Sequence, residues 1–135
     1  GVYAVSHMLG IPSPIDPTLT PSCVYTSPEL ATVGLTQDEA KAQGRAVVIG
    51  KALTTQNART LIEGLGRGYI KLVFDAQTQQ LLGAQLFCGR ATDLVGELTL
   101  AIQSKCTSTQ LAAPLRPHPT FEEAITDAVL AARFS

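Results

Sequence analysis

GYIKLVFDAQTQQLLGAQLFCGRATDLVGELTLAI, residues 68–102, changes its hydrophobic period part-way along. In the opening segment Ile70, Leu72 and Phe74 alternate with Tyr69, Lys71 and Val73. A period of two puts successive side chains on opposite faces of a strand, so 68–75 is predicted to be a half-buried strand. AQTQQ turns the chain and LLGAQLFCG (81–89) returns, which predicts an antiparallel hairpin with a loop longer than the two-residue type. Then Ala91, Leu94, Val95, Leu98, Ala101 and Ile102 recur at helical spacing, and a helix is predicted near 91–105.

Working upstream, SCVYT (22–26), ATVGL (31–35, after a turn at Ser27-Pro28) and AVVIGKAL (46–53) read as strands. Between the last two, Thr36 stands three residues before Glu39 in capping-box position, and Gly44 ends the short helix they open. TTQNARTLIEGLGRG reads as a polar, glycine-punctuated loop. Downstream, Ser108 or Thr109 is expected to cap a short turn, QLAAPL. A final helix near 120–133 carries Phe121, Ala124, Ile125, Ala128, Val129 and Ala132 on one stripe. Strands first and helices last predict an α+β fold, an antiparallel β-sheet with helices packed on one face.

The start of the chain reads differently. GVYAVSHML looks like the end of a helix, and IPSPIDPTLTP holds four prolines, which oppose helix and mark an extended linker. The division expected is the end of a preceding domain at 1–12, a linker at 13–20 and the main domain at 21–135.

Composition narrows the function. With 135 residues and a net charge of −1, the chain has the size of one domain and lacks the basic field of a non-specific nucleic-acid binder. No apolar run is long enough to span a membrane. The three cysteines, Cys23, Cys88 and Cys106, are an odd number without paired spacing, so they read as small buried hydrophobes rather than a disulfide framework or a zinc site. A reducing, cytoplasmic setting is expected. There is no phosphate-binding glycine loop: GLGRG (64–68) falls between strands and reads as a turn.

One ionisable constellation remains, in RPHPTFEEAI (116–125). His118 is one of only two histidines, and His7 has no acidic neighbour. Thr120 and Glu123 form a capping box by themselves, and Glu122 and Glu123 meet the positive end of the helix dipole. On that reading His118 is incidental. The same atoms support a second reading. Pro119 confines His118 to extended conformations, and a Glu123 carboxylate on one imidazole nitrogen would orient the ring and leave the other nitrogen to accept a proton. A carboxylate has two oxygens, so both can hold together. A third reading, hydrolysis by Ser22, Ser27 or Ser108 with His118, lacks the strained Gly-x-Ser-x-Gly context.

HPTFEEA (118–124) resembles the H-P-T-x-x-E signature of the flavin-dependent pyridine nucleotide–disulfide oxidoreductases. PSCVYTSPELATVGLTQDEA (21–40), NART (57–60) and the 68–102 stretch are similar to that family's other C-terminal landmarks, in the same order. Among its members the resemblance is strongest to the dihydrolipoyl dehydrogenases, with Pro28-Glu29 where glutathione reductases tend to have Pro-Pro. One departure is Arg116, where those enzymes often carry the first histidine of H-x-H-P-T.

The resemblance implies the C-terminal dimerisation domain of a homodimeric enzyme that binds FAD and NAD and oxidises dihydrolipoamide or a lipoyl-bearing protein with NAD⁺. It implies that residues 1–12 end the flavin-binding domain and that the redox cysteines lie upstream. It implies that His118, oriented by Glu123, is the general base lent to the partner subunit's active site. The backbone at His118 and Pro119 would face the partner's flavin, across a cis His118–Pro119 bond. Leu100 and Leu130, off their helices' apolar stripes, would serve association. The fragment alone is expected to be inactive. Another disulfide reductase of the family, glutathione- or mercuric-reductase-like, and a purely structural association module are the alternatives.

Overall fold

The computed structural model describes residues 1–133. Five strands form one sheet: β1 (Ser22–Val24), β2 (Glu29–Gly34), β3 (Val47–Leu53), β4 (Tyr69–Asp75) and β5 (Leu81–Cys88). Their spatial order is β1-β2-β5-β4-β3, and every neighbouring pair is antiparallel. The helices are α1 (Val2–Met8), α2 (Gln37–Ala42), α3 (Ala58–Ile62), α4 (Ala91–Gln103), α5 (Ser108–Ala112) and α6 (Glu123–Arg133). The fold is α+β, as the pattern of periods predicts.

The hairpin read from 68–89 lies at the heart of the sheet. Ile70 faces Leu86 and Leu72 faces Ala84 across β4 and β5, and all four are almost fully buried. α4 covers β2 and β5, while α6 covers β3 and β4. Leu94 and Leu98 of α4 and Ile125 and Val129 of α6 close the same core. Each such side chain contributes about 1.5–3 kcal/mol on full burial. Gly50 of β3 lets α6 approach, because a Cβ there would lie 2.0 Å from the Ala128 carbonyl oxygen.

The strict alternation in β4 fails at one residue. Val73 was expected on the half-exposed face but is fully buried, beside a register shift between Val73 and Phe74. Short α2 lies over that face, where Lys71 Nζ donates to Gln37 Oε1 at 3.0 Å. The Thr36–Glu39 capping box is present as predicted, and Gly44, at φ +75, ends α2.

Three local readings need correction. The loop expected at 54–68 contains a 3₁₀ turn (Thr54–Gln56) and α3. α3 buries only Thr60, so it has no apolar period to reveal it, and the Asn57 cap starts it. α5 is capped by Thr107, not Ser108 or Thr109, because Gln110 stands at the spacing that completes a box with Thr107. α6 begins at Glu123, three residues later than expected, because the Thr120 hydroxyl donates to the Pro117 carbonyl at 2.9 Å instead of capping the helix.

Cys88 lies in the core, where burial pushes its thiol up; Cys23 and Cys106 are half-buried, and all three are free. α1 buries none of its side chains. No helix among the described residues is long and apolar enough to cross a membrane.

Candidate functional site

His118 stands at the corner between α5 and α6, with a proline on either side. The His118–Pro119 bond is cis, as the resemblance implies; Ser27–Pro28 is cis as well. The imidazole is 71% exposed, and its Nδ1 lies 2.9 Å from Glu123 Oε1. The other carboxylate oxygen, Oε2, accepts the Thr120 N–H at 2.8 Å. Glu123 therefore does both things read from the sequence: one oxygen satisfies a backbone donor ahead of the helix, and the other holds the ring. The Thr120 N–H, and then the His118 ring, keep the Glu123 carboxyl below its ordinary value.

An ionised Glu123 can only accept, so Nδ1 carries the hydrogen and donates it. Nε2 is then the basic nitrogen. Among the described residues, Glu123 is the only hydrogen-bond partner of the ring, which leaves Nε2 toward solvent. A small open cleft of about 140 Å³ adjoins the pair, lined by Gln56, Asn57, Ala58, His118, Glu123 and Asp127. Asp127 lies one helical turn beyond Glu123, and its carboxyl is raised, first by burial and then by the Glu123 charge.

The corner is tied down from two sides. Arg116, whose side chain is 7% exposed, pairs with Glu97 of α4 and donates to Thr126 Oγ1 of α6 at 2.9 Å and to the Leu111 carbonyl of α5 at 3.3 Å. On the other side, Asn57 Nδ2 donates to the Thr120 carbonyl at 2.8 Å. A larger groove of about 380 Å³, lined by Thr26, Ser27, Pro28, Glu29, Leu65, Gly66 and Gly89, does not contain the pair. Its carboxylate, Glu29, accepts from both the N–H and the hydroxyl of Thr92 in the first turn of α4.

Residues 20–129 match the family model described as pyridine nucleotide-disulphide oxidoreductase, dimerisation domain. The chain belongs to that family.

Relatives of this dimerisation domain include the dihydrolipoyl dehydrogenase of Bacillus subtilis, 44% identical over 98% of the chain and 28% of that protein. Dihydrolipoyl dehydrogenase 3 of Pseudomonas putida is 35% identical over 96% of the chain and 28% of its own length. Among solved structures, LpdA from Mycobacterium tuberculosis superposes with a TM-score of 0.85 at 28% identity, covering 98% of the chain and 28% of that protein. The flavoprotein disulfide reductase RclA from Escherichia coli reaches the same TM-score at 23% identity, over 94% of the chain and 30% of its own; this likeness shows the fold alone. The chain thus spans under a third of the length of these relatives.

The fold brings His118, Pro119 and Glu123 together, as read from the sequence. It brings none of the three serines into a hydrogen bond with His118; Ser108 Oγ instead donates to Gln79 Oε1 at 3.3 Å. Sequence reasoning gave no role to Asn57, Asp127 or Glu97. Asn57 was findable, because Asn-x-x-Thr is the spacing of a capped helix start.

Proposed function

We propose that this dimerisation domain belongs to a flavin-dependent dihydrolipoyl dehydrogenase that oxidises dihydrolipoamide with NAD⁺, and that it supplies the His118–Glu123 base to the active site of the partner subunit. The observation that carries this reading is the 2.9 Å Nδ1–Oε1 bond on an otherwise exposed ring. That arrangement leaves Nε2 without a partner in its own domain among the described residues. A base held this way serves a reaction centre contributed by another molecule.

In the reaction, Nε2 takes a proton from the dithiol substrate. The thiolate formed attacks the enzyme's redox-active disulfide. Glu123 keeps the ring in the acting tautomer and offsets the charge of the imidazolium that forms. FAD and NAD would be held by the part of the protein that this chain does not span, and the bound flavin supplies the route for electrons from the dithiol to NAD⁺. From this chain, the backbone at His118 and Pro119 would approach the partner's flavin. Residues 1–12 would close the flavin-binding domain and 13–20 would link it to residues 21–135. The bare apolar side chains of α1, Val2, Val5 and Met8, fit that placement.

Homodimer formation is supported by the family and by exposed leucines at the positions expected, Leu100 at 64% and Leu130 at 39%. The free cysteines fit a cytoplasmic setting. The test is subunit complementation in the full-length enzyme. Inactive subunits carrying His118→Gln are mixed, by unfolding and refolding together, with subunits inactivated at the redox disulfide. Mixed dimers should regain one working site in two. Mixtures that stay as inactive as both parents would refute the sharing of His118 between subunits.

A further inference from the structure

We infer that Asn57 is a positioning residue for the base: it fixes the corner that carries His118 to the sheet-side framework of the domain. This rests on the reading of His118 as the base.

Asn57 is 4% exposed and far from His118 in sequence. Its two amide atoms do different work. Oδ1 accepts the Thr60 N–H at 2.9 Å and the Thr60 hydroxyl at 3.0 Å, which starts α3. Nδ2 donates to the Thr120 carbonyl at 2.8 Å. A backbone N–H can only donate and a carbonyl can only accept, so this pair of partners assigns the amide orientation. It also limits which side chains could replace it. A carboxylate or a hydroxyl could cap α3, but a carboxylate cannot donate to Thr120 and a serine hydroxyl is too short to cap and to reach it as well.

Thr120 is the point at which the pair is most open to displacement. Its N–H binds Glu123 Oε2 and its hydroxyl binds the Pro117 carbonyl, so Thr120 ties both ends of the His118 segment to each other. Those bonds are internal to the corner and would survive a rigid swing of the whole segment. The Asn57 bond is external and resists such a swing. Arg116 anchors the near end through three helices, and the stiff Pro117-His118-Pro119 run carries that anchor to the ring. Asn57 anchors the far end. It also lines the cleft beside His118.

The experiment is a double-mutant cycle in the full-length holoenzyme with a small dithiol such as dihydrolipoamide as substrate. Asn57→Ser keeps a capping oxygen for α3 and removes the donor to Thr120. Turnover should fall between about 10- and 10²-fold, the range that misplacing a reacting group can cost. The loss should fall on kcat with KM close to that of the parent, because the change displaces the base and leaves the substrate's binding groups in place. In a His118→Gln background the same change should cost nothing further. Losses that simply multiply in the double variant would overturn the inference and leave the base reading intact. Near-normal turnover of His118→Gln alone would overturn both. If Asn57→Ser does not fold, Asn57→Asp, a cap of similar strength that also lacks the donor, enters the same cycle with the same expected outcomes for turnover.

Discussion

The β4–β5 hairpin and the His118 corner are held by different forces. In the hairpin, Ile70, Leu72, Phe74 and Leu86 are at most 1% exposed and each is surrounded by other apolar side chains. At the corner the ring is mostly in solvent, and its place is set by hydrogen bonds from Glu123, Thr120, Asn57 and Arg116 with two prolines between. A buried aromatic contributes several kcal/mol, whereas a hydrogen bond contributes about 0.5–1.5 kcal/mol net. The first arrangement makes the domain stable. The second is directional and fixes where the exposed ring sits. Changes in the hairpin should therefore be read in unfolding, and changes at the corner in chemistry.

The largest expected effect breaks the hairpin side. Phe74→Ala removes a fully buried ring from the centre of the sheet and should cost about 3–5 kcal/mol, measured as a lower midpoint in urea unfolding. Whatever folded protein remains should keep its His118 chemistry. A loss of turnover per folded molecule would show that the two regions are not separable.

Next comes His118→Gln in the full-length enzyme. Dithiol-to-NAD⁺ turnover should fall about 10²–10⁴-fold, while the melting temperature stays close to that of the parent. Near-normal turnover across neutral pH would leave Glu123 as a helix cap alone.

Glu123→Gln should be milder, roughly tenfold in turnover, since the ring that takes the proton is still present. With its oxygen on the Thr120 N–H the amide turns an NH₂ donor toward the ring, so the acceptor that holds hydrogen on Nδ1 is lost. The pH dependence has a definite sign. Glu123 is held below its ordinary value of 4.5 in the folded state, so its stabilising bonds are complete above that value and fade as pH falls through the lower, folded pKa. The variant should lose this acid-range dependence of unfolding.

Asp127→Asn sharpens the comparison with the smallest effect. The Asp127 carboxyl is raised by burial and by Glu123, so its penalty is present above the folded pKa and absent below the unfolded one. The variant should melt slightly higher at neutral pH and match the parent in acid, as thermal scans at the two pH values would show.

The elements that were legible in the sequence are those with long periodic signals. β4, β5 and α4 repeat apolar residues over several turns or pleats, and the α2 capping box is wholly local. α3 was not legible as a helix because it is five residues long and buries one threonine. Val73 departs from its alternation because α2 folds back over the second face of the sheet, a neighbour thirty residues upstream. At the corner, HPT-x-x-E announced the His118–Glu123 pair, since both partners lie within one short segment. The links of Asn57 to Thr120 and of Glu97 to Arg116 were silent, since those partners lie 63 and 19 residues apart.

The sequence by itself determined the strands and the longer helices, and it offered contact between a histidine and a glutamate five residues apart as one of two readings of a helix start. These follow from period, spacing and capping, which act between near neighbours along the chain. Only the tertiary structure decided where that pair points and what holds it there. Thr120 satisfies its hydroxyl on Pro117 and so moves the helix start to Glu123. Asn57 divides its amide between α3 and the corner, and Arg116 finds acceptors on three helices. The Asn57 and Arg116 bonds are choices among acceptors that the chain brings within reach only once it has folded, because a buried polar group must find a partner wherever packing leaves it.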